Sequence, residues 1–147
     1  MSNYEKVYST TAWNTGGRDG RSYLTDGSQS LKIATPKALG GSGEGTNPEE
    51  LFALGYSACF HSALEVVKGQ HQVKGASQVK QEIDLYKKPD AADFRLGTVI
   101  QVGIEGLDLD QVQKLAEEAH TVCPYSKATQ GNMDVKIEAI DYDPEVK

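Results

Sequence analysis

Residues 47–60 are Asn47-Pro48-Glu49-Glu50-Leu51-Phe52-Ala53-Leu54-Gly55-Tyr56-Ser57-Ala58-Cys59-Phe60. Asn47 suits a helix cap, Pro48 suits the first helical position, and the two acids after it favour the positive end of a helix dipole. Mainly apolar residues then recur at helical spacing, at Phe52, Gly55, Tyr56, Cys59, Ala63 and Val66. The stretch therefore predicts a long helix that runs to about Lys68.

Strand patterns lie on both sides of this helix. Before it, three β-rich segments separated by turns, 7–14, 21–25 and 31–35, predict a meander, and a glycine-rich loop follows over 39–46. After it, the patterns predict strands over 77–87 and 96–105, a helix over 108–123 and a last strand over 133–142. Gly131-Asn132, between this helix and the last strand, stops the helix from continuing. The order βββ-α-ββ-α-β predicts an α+β fold, with mainly antiparallel sheets around two central helices. With no repeat or linker, we expect one domain, 1–147.

Composition excludes several classes of protein. The net charge of −6 over 147 residues argues against a nucleic-acid binder, since phosphate contacts need clustered lysine and arginine. No apolar run approaches the roughly 18 residues of a membrane span, and residues 1–9 have no signal-peptide pattern. We therefore expect a cytoplasmic protein with no membrane partner.

The two cysteines leave three possibilities open. Cys59 lies in the middle of the apolar helix, and Cys123 opens Cys123-Pro124-Tyr125-Ser126 at the end of the second one. They could form a redox pair, bind a metal, or be inert core residues, since cysteine is among the most buried residue types. In a reducing compartment a disulfide is more often catalytic than structural. A nucleophilic Cys59 would need a cation from elsewhere, because mid-helix it gains nothing from the dipole.

A metal site is the weaker possibility. His120 and Cys123 are three residues apart and could share a metal, but Cys59 and His61 are two apart and point to opposite sides of a helix. Three ligands at best would remain, fewer than the four of a structural zinc site. We expect no bound metal.

The motifs resemble those of a known family. The segments 45–53, 55–60 and 123–129, with Gly131-Asn132, closely resemble the organic hydroperoxide resistance (Ohr) branch of the OsmC/Ohr family. Residues 15–20, Thr15-Gly16-Gly17-Arg18-Asp19-Gly20, resemble the arginine loop of that branch. The resemblance covers essentially the whole chain, and the two cysteine segments are its most specific part.

The resemblance implies a thiol peroxidase that reduces organic hydroperoxides, including those of fatty acids, to alcohols. By motif, Cys59 is the peroxidatic cysteine, Cys123 resolves its sulfenic acid as a disulfide, Arg18 supports the thiolate, and Glu49 orients Arg18. It also implies an intertwined homodimer, no bound cofactor, and recycling by dihydrolipoamide or a lipoylated protein. Glu50 stands where glutamine is common, which leaves Glu49 and Glu50 both open for this role. His61 stands where a small or apolar residue is expected, and its role is open.

Helix geometry adds one inference. Glu49 and Cys59 are ten residues apart, about 15 Å on a continuous helix, so neither Glu49 nor an arginine that it holds reaches its own Cys59. Either the helix breaks, or Arg18 and Glu49 serve the Cys59 of a partner. The small residues Gly55 and Ala58, which would let two helices pack closely, favour the second. Other functions stay open: an OsmC-branch peroxidase, a redox sensor or hydroperoxide-binding protein without turnover, or a thiol-inert domain.

Overall fold

A computed structural model describes residues 2–147 as two compact units, divided between Pro48 and Glu49. The start of the predicted domain, Met1, lies outside the described residues, and one domain over 1–147 stays a prediction. Within residues 2–147, no helix is both long and apolar enough to cross a membrane.

The first unit contains the predicted meander. Its strands β1 (Ala12–Thr15), β2 (Gly20–Leu24) and β3 (Ser30–Ile33) form an antiparallel sheet in the order β1-β2-β3, and a short 3-10 helix, Lys37–Leu39, follows. The prediction of β1 over 7–14 was wrong in its first half. Pairing runs from Thr15 opposite Arg21 to Ala12 opposite Leu24. Because Leu24 is the last residue of β2, residues 7–11 have no partner in β2 and lie outside β1.

The second unit follows the predicted order with one extra helix. It comprises α1 (Pro48–Gln70), β4 (Ser77–Lys87), β5 (Phe94–Ile104), α2 (Leu109–Val122), α3 (Pro124–Thr129) and β6 (Asp134–Ala139). Asp108 caps α2 in a capping box with Gln111, which fixes the start of this helix one residue after its predicted bound. The short helix α3 was not predicted.

The sheet of this unit is mixed. Strands β4 and β5 form a long antiparallel pair, from Ser77 opposite Ile104 to Lys87 opposite Phe94. Strand β6 pairs parallel with β5, because α2 and α3 carry the chain back across the sheet before β6 begins. The α+β class is confirmed, with β6 as the parallel exception to mainly antiparallel sheets.

One face of α1 packs into the hydrophobic core of the second unit. Helices α1 and α2 and strand β5 supply the fully buried side chains of this core. They include Tyr56, Phe60, Leu64, Val67, Ile100, Val102, Val112 and Ala116. The predicted inward face is correct for Tyr56 and Ala63 but wrong for Val66, which is 53% exposed while Val67 is buried. At this end of the helix the predicted buried face is therefore displaced by one residue.

The small residues of α1 differ in their surroundings. A Cβ on Gly55 would lie 3.3 Å from the Tyr125 hydroxyl of the same chain, and Ala63 is buried in the core. Ala58 is exposed. The Tyr125 side chain of the same chain therefore lies against Gly55, and helix pairing between two chains through Gly55 and Ala58 stays a prediction.

Candidate active site

The fold brings the two cysteines together. Cys59 lies on α1, and Cys123 lies at the junction of α2 and α3, where an extended backbone with ψ of 124° separates the two helices. Both are free thiols, and the Cys123 Sγ is 3.7 Å from the Cys59 Sγ across 64 residues of sequence. A disulfide has an S–S length of about 2.05 Å, so a small movement closes the pair. Of the three possibilities for the cysteines, this geometry favours a redox pair.

The two sulfurs differ in access to solvent. Cys123 has an exposed fraction of 0% and belongs to the buried cluster that contains Leu115, Ala116 and Ala119. Cys59 is partly exposed and packs against the edge of that cluster. An external reagent therefore meets Cys59 first, as the peroxidatic role requires.

Burial works against ionisation of Cys59. It raises the pKa of the Cys59 thiol above its ordinary value, and the neighbouring Cys123 adds to the rise, while a hydrogen bond from the Tyr125 backbone opposes it. Because the thiolate is the nucleophile, a positive charge near Cys59 would be needed to bring its pKa down.

An aromatic cluster joins the two cysteine segments. The ring centroids of Phe52, Tyr56 and Tyr125 lie 5.5 to 6.0 Å apart. The Tyr56 hydroxyl on α1 lies 2.9 Å from the Ser126 Oγ on α3, and both side chains are buried. Since α3 begins directly after Cys123, this hydrogen bond ties the position of Cys123 to the helix that carries Cys59.

We expect Tyr56→Phe to destabilise the protein by about 1–3 kcal/mol, because the buried Ser126 hydroxyl loses its Tyr56 partner. The free energy of unfolding in urea measures this. Tyr125→Phe is the matched control: it removes the same atom from a side chain that is 40% exposed, and we expect a change within about 0.5 kcal/mol. Equal losses in the two variants would contradict the role assigned to the buried hydrogen bond.

Arg18 lies in the turn between β1 and β2, in the first unit. This turn is held on both sides: the Asn14 Oδ1 accepts from the Gly17 N–H at 2.9 Å, and the Asp19 carboxylate accepts from the Thr35 N–H and hydroxyl at 3.1 and 3.0 Å. Gly20 has no room for a side chain, since a Cβ there would lie 1.8 Å from the Thr15 carbonyl oxygen. The turn therefore presents Arg18 on a fixed backbone.

Glu49 and Glu50 both lie in the first turn of α1. Helix α1 is continuous from Pro48 to Gln70, so the alternative of a break before Cys59 is excluded. Along this helix Glu49 is about 15 Å from Cys59, and the two do not meet in one chain. The choice between Glu49 and Glu50 as the partner of Arg18 stays a prediction.

The histidines take other places. The His61 Nε2 lies 2.8 Å from the Ser77 Oγ and 3.5 Å from the Glu65 Oε1, so this side chain links α1 to the start of β4. The buried Nδ1 of His120 has no hydrogen-bond partner among residues 2–147, and burial lowers the pKa of its imidazole. Within those residues no group of three or more histidine, cysteine or acidic side chains could hold a metal ion.

Sequence reasoning missed Tyr56, Ser126 and the backbone of Tyr125 as parts of this site. One available signal was Pro124, since proline favours the first position of a helix and so predicts a new helix after Cys123. The contacts of Tyr56 had no comparable signal, because they join residues that are 70 or more apart in sequence.

A family model described as OsmC-like protein matches residues 41–138. The chain belongs to the OsmC-like family. Within this family it is 46% identical to the organic hydroperoxide resistance protein-like 2 of Staphylococcus epidermidis, over 90% of this chain and 94% of that protein. It is 40% identical to the organic hydroperoxide resistance protein of Xanthomonas axonopodis pv. citri, over 93% and 98% of the two chains. The family and the Ohr branch expected from the motifs are confirmed.

Solved structures of OsmC-like proteins agree with the fold. The organic hydroperoxide resistance protein OhrB of Bacillus subtilis has a TM-score of 0.82 at 38% identity, over 92% of this chain and all of that one. The organic hydroperoxide resistance protein from Legionella pneumophila has a TM-score of 0.86 at 40% identity, over 94% of this chain and all of that one. The OsmC/Ohr-like fold is confirmed.

Proposed function

We propose that this protein is a thiol peroxidase that reduces organic hydroperoxides, of alkyl and fatty-acid type, to alcohols. The observation that carries the proposal is the pair of free thiols 3.7 Å apart, one partly exposed and one buried, in a chain whose relatives are named organic hydroperoxide resistance proteins. Their names support a role in peroxide detoxification for this chain.

The proposed cycle uses both sulfurs. The Cys59 thiolate attacks the distal oxygen of ROOH, the O–O bond breaks, and the products are ROH and Cys59 sulfenic acid, with a proton taken up by the leaving alkoxide. Cys123 then attacks the Cys59 sulfur and displaces water, which gives a disulfide and protects Cys59 from further oxidation. A dihydrolipoyl group, free or on a protein, returns both thiols. The 3.7 Å separation supports the second step because it needs no rearrangement of the helices.

Arg18 and Glu49 complete the proposed site. Burial raises the pKa of Cys59, and a guanidinium, which keeps its charge at any working pH, would oppose that rise and stabilise the leaving alkoxide. Glu49 would hold Arg18 in a bidentate pair. Since Glu49 is about 15 Å from Cys59 along a continuous helix, we propose that these two residues act on the Cys59 of a partner chain, in a homodimer.

The alkyl group needs an apolar surface near Cys59. Of the apolar residues near Cys59 in sequence, Phe60 is fully buried in the core, whereas Leu54 is 67% exposed. Phe52 and Tyr125 supply a stacked aromatic surface, and the backbone of Tyr125 contacts Cys59. Phe52 also lines a cavity of about 450 Å³, whose other walls are both apolar and polar and include Phe94, Leu96, Met133, Asp93, Arg95 and Asn132. We propose that the substrate chain lies along Phe52 and Tyr125.

We expect cumene hydroperoxide to be reduced with a much higher kcat/KM than hydrogen peroxide. Burial of about 100 Å² of alkyl surface at roughly 25 cal/mol per Å² contributes about 2.5 kcal/mol, or about 70-fold in kcat/KM. Hydrogen peroxide has no such surface. Steady-state turnover with dihydrolipoamide measures both values, with thioredoxin as the alternative donor. Equal kcat/KM for the two peroxides would contradict the apolar surface, and absence of turnover with either donor would contradict the enzyme and favour a sensor.

A further inference from the structure

The unequal burial of the two sulfurs also bears on how the disulfide is reduced. In the described structure Cys123 is fully buried, whereas Cys59 is partly exposed. Nothing in the cycle above decides which sulfur an external thiol attacks, and the two choices give different intermediates.

Thiol–disulfide exchange requires the attacking sulfur to approach in line with the S–S bond, from the side opposite the leaving sulfur, and its rate depends on access. To attack Cys123, a donor would have to come from the side of Cys123 away from Cys59. Cys123 lies in the buried cluster with Leu115, Ala116 and Ala119, so that approach meets packed side chains. To attack Cys59, a donor approaches a residue that is already partly exposed.

We propose that the reducing dithiol attacks only the Cys59 sulfur, so that the mixed disulfide forms on Cys59 and Cys123 is the leaving group. This rests on the disulfide of the proposed function and adds the order of its reduction.

One thiolate of the donor forms a bond to the Cys59 Sγ, the Cys59–Cys123 bond breaks, and the Cys123 sulfur takes the electron pair and the proton that the donor thiol lost. The second donor thiol then attacks the donor sulfur of the mixed disulfide, which releases an oxidised cyclic disulfide and the Cys59 thiolate. The hydrogen bond from the Tyr125 backbone stabilises the Cys59 thiolate as it leaves.

This order explains why a dithiol would serve better than a monothiol. After the first attack, Cys123 is a free thiol whose resting distance to the Cys59 sulfur is 3.7 Å, so it can reverse the step by expelling the donor. A monothiol has no intramolecular competitor for that reversal. A dithiol carries its second thiol with it, and the effective concentration of that thiol favours completion.

The test uses wild-type protein whose disulfide has been made with diamide, so that no peroxide chemistry is needed. A short exposure to excess 2-mercaptoethanol, an acid quench and alkylation of free thiols with N-ethylmaleimide in denaturant label the two positions. Trypsin separates them, because residues 38–68 and 115–127 are single tryptic peptides. We expect the mercaptoethanol adduct on the Cys59 peptide and maleimide on the Cys123 peptide, with at least about a tenfold excess over the reverse pattern. An even split, an excess on Cys123, or no disulfide would overturn the proposal.

Single-cysteine variants provide the matched control. With 5,5′-dithiobis(2-nitrobenzoic acid) under native conditions, we expect the thiol of Cys123→Ser, which keeps Cys59, to react at least about tenfold faster than that of Cys59→Ser. Denaturant should remove the difference. Equal native rates would overturn the argument from access. These results stand apart from the proposed function: a protein that turns over peroxide but forms the adduct on Cys123 keeps the function and loses this order of reduction.

Discussion

Cys59→Ser is expected to abolish multi-turnover reduction of organic hydroperoxides, with a loss of at least about a thousandfold in kcat/KM. The hydroxyl of serine is not ionised at neutral pH, and the proposed site includes no general base to activate it. The variant therefore lacks an attacking atom. Because serine is close to cysteine in size and Cys59 lies at the edge of the core, the fold should persist. Peroxide consumption with dihydrolipoamide measures the effect, and circular dichroism checks the fold.

Cys123→Ser separates the two sulfurs. It keeps the Cys59 nucleophile, so one equivalent of hydroperoxide should still be reduced, but no disulfide can protect the sulfenic acid. With excess peroxide Cys59 should pass to the sulfinic acid, which mass spectrometry of peptide 38–68 detects. Full multi-turnover activity in the Cys59 variant would contradict the proposal that Cys59 attacks the peroxide. Protection of Cys59 from sulfinic oxidation in the Cys123 variant would show that another group resolves it.

The long helix could be predicted because its signals are local. Asn47-Pro48 predicts its start, which the structure has at Pro48, and apolar spacing predicts its buried face to within one residue, since Val66 is exposed and Val67 is buried. The bounds of β1 could not be predicted in this way. Its length depends on how far β2 extends beside it, and that is a property of the pair of strands.

The parallel pairing of β6 could have been inferred. A strand that follows another through an intervening helix usually runs parallel to it, and α2 and α3 lie between β5 and β6. Helix α3 was not predicted, since Gly131-Asn132 explains why the helix pattern does not continue but does not indicate a separate helix after Cys123. Pro124 ends α2 and begins α3, and this junction holds Cys123 in an extended conformation.

The candidate site likewise has parts with local sequence signals and parts that depend on long-range packing. Motifs marked Cys59 and Cys123, but their separation of 3.7 Å depends on how α3 packs against α1. The Tyr56 to Ser126 hydrogen bond sets that packing, and it joins parts of the chain that no local pattern connects. The rise in the pKa of Cys59 likewise follows from burial in the folded unit, which sequence alone expresses only as an apolar helix face.

The strongest test of the proposed homodimer is complementation between two inactive variants. Cys59→Ser lacks the nucleophile, and Arg18→Ala lacks the cation proposed to lower the pKa of Cys59. Since α1 is continuous and places Glu49 about 15 Å from Cys59, an arginine held by Glu49 would act on the Cys59 of the other chain in the proposed homodimer. In a heterodimer one site would combine the intact Cys59 of one chain with the intact Arg18 of the other.

Mixing the two variants in equal amounts through unfolding and refolding should therefore restore about a quarter of the wild-type activity, because half of the dimers are mixed and each has one working site of two. A mixture of Cys59→Ser with Cys123→Ser is the matched control. These two sulfurs pair within one chain at 3.7 Å, so their heterodimer should regain no recycling through the disulfide. Native mass spectrometry establishes that mixed dimers have formed. Mixed dimers that regain no activity in the first pair would mean that each chain supplies its own arginine to Cys59, and that Arg18 reaches this thiol without being held by Glu49.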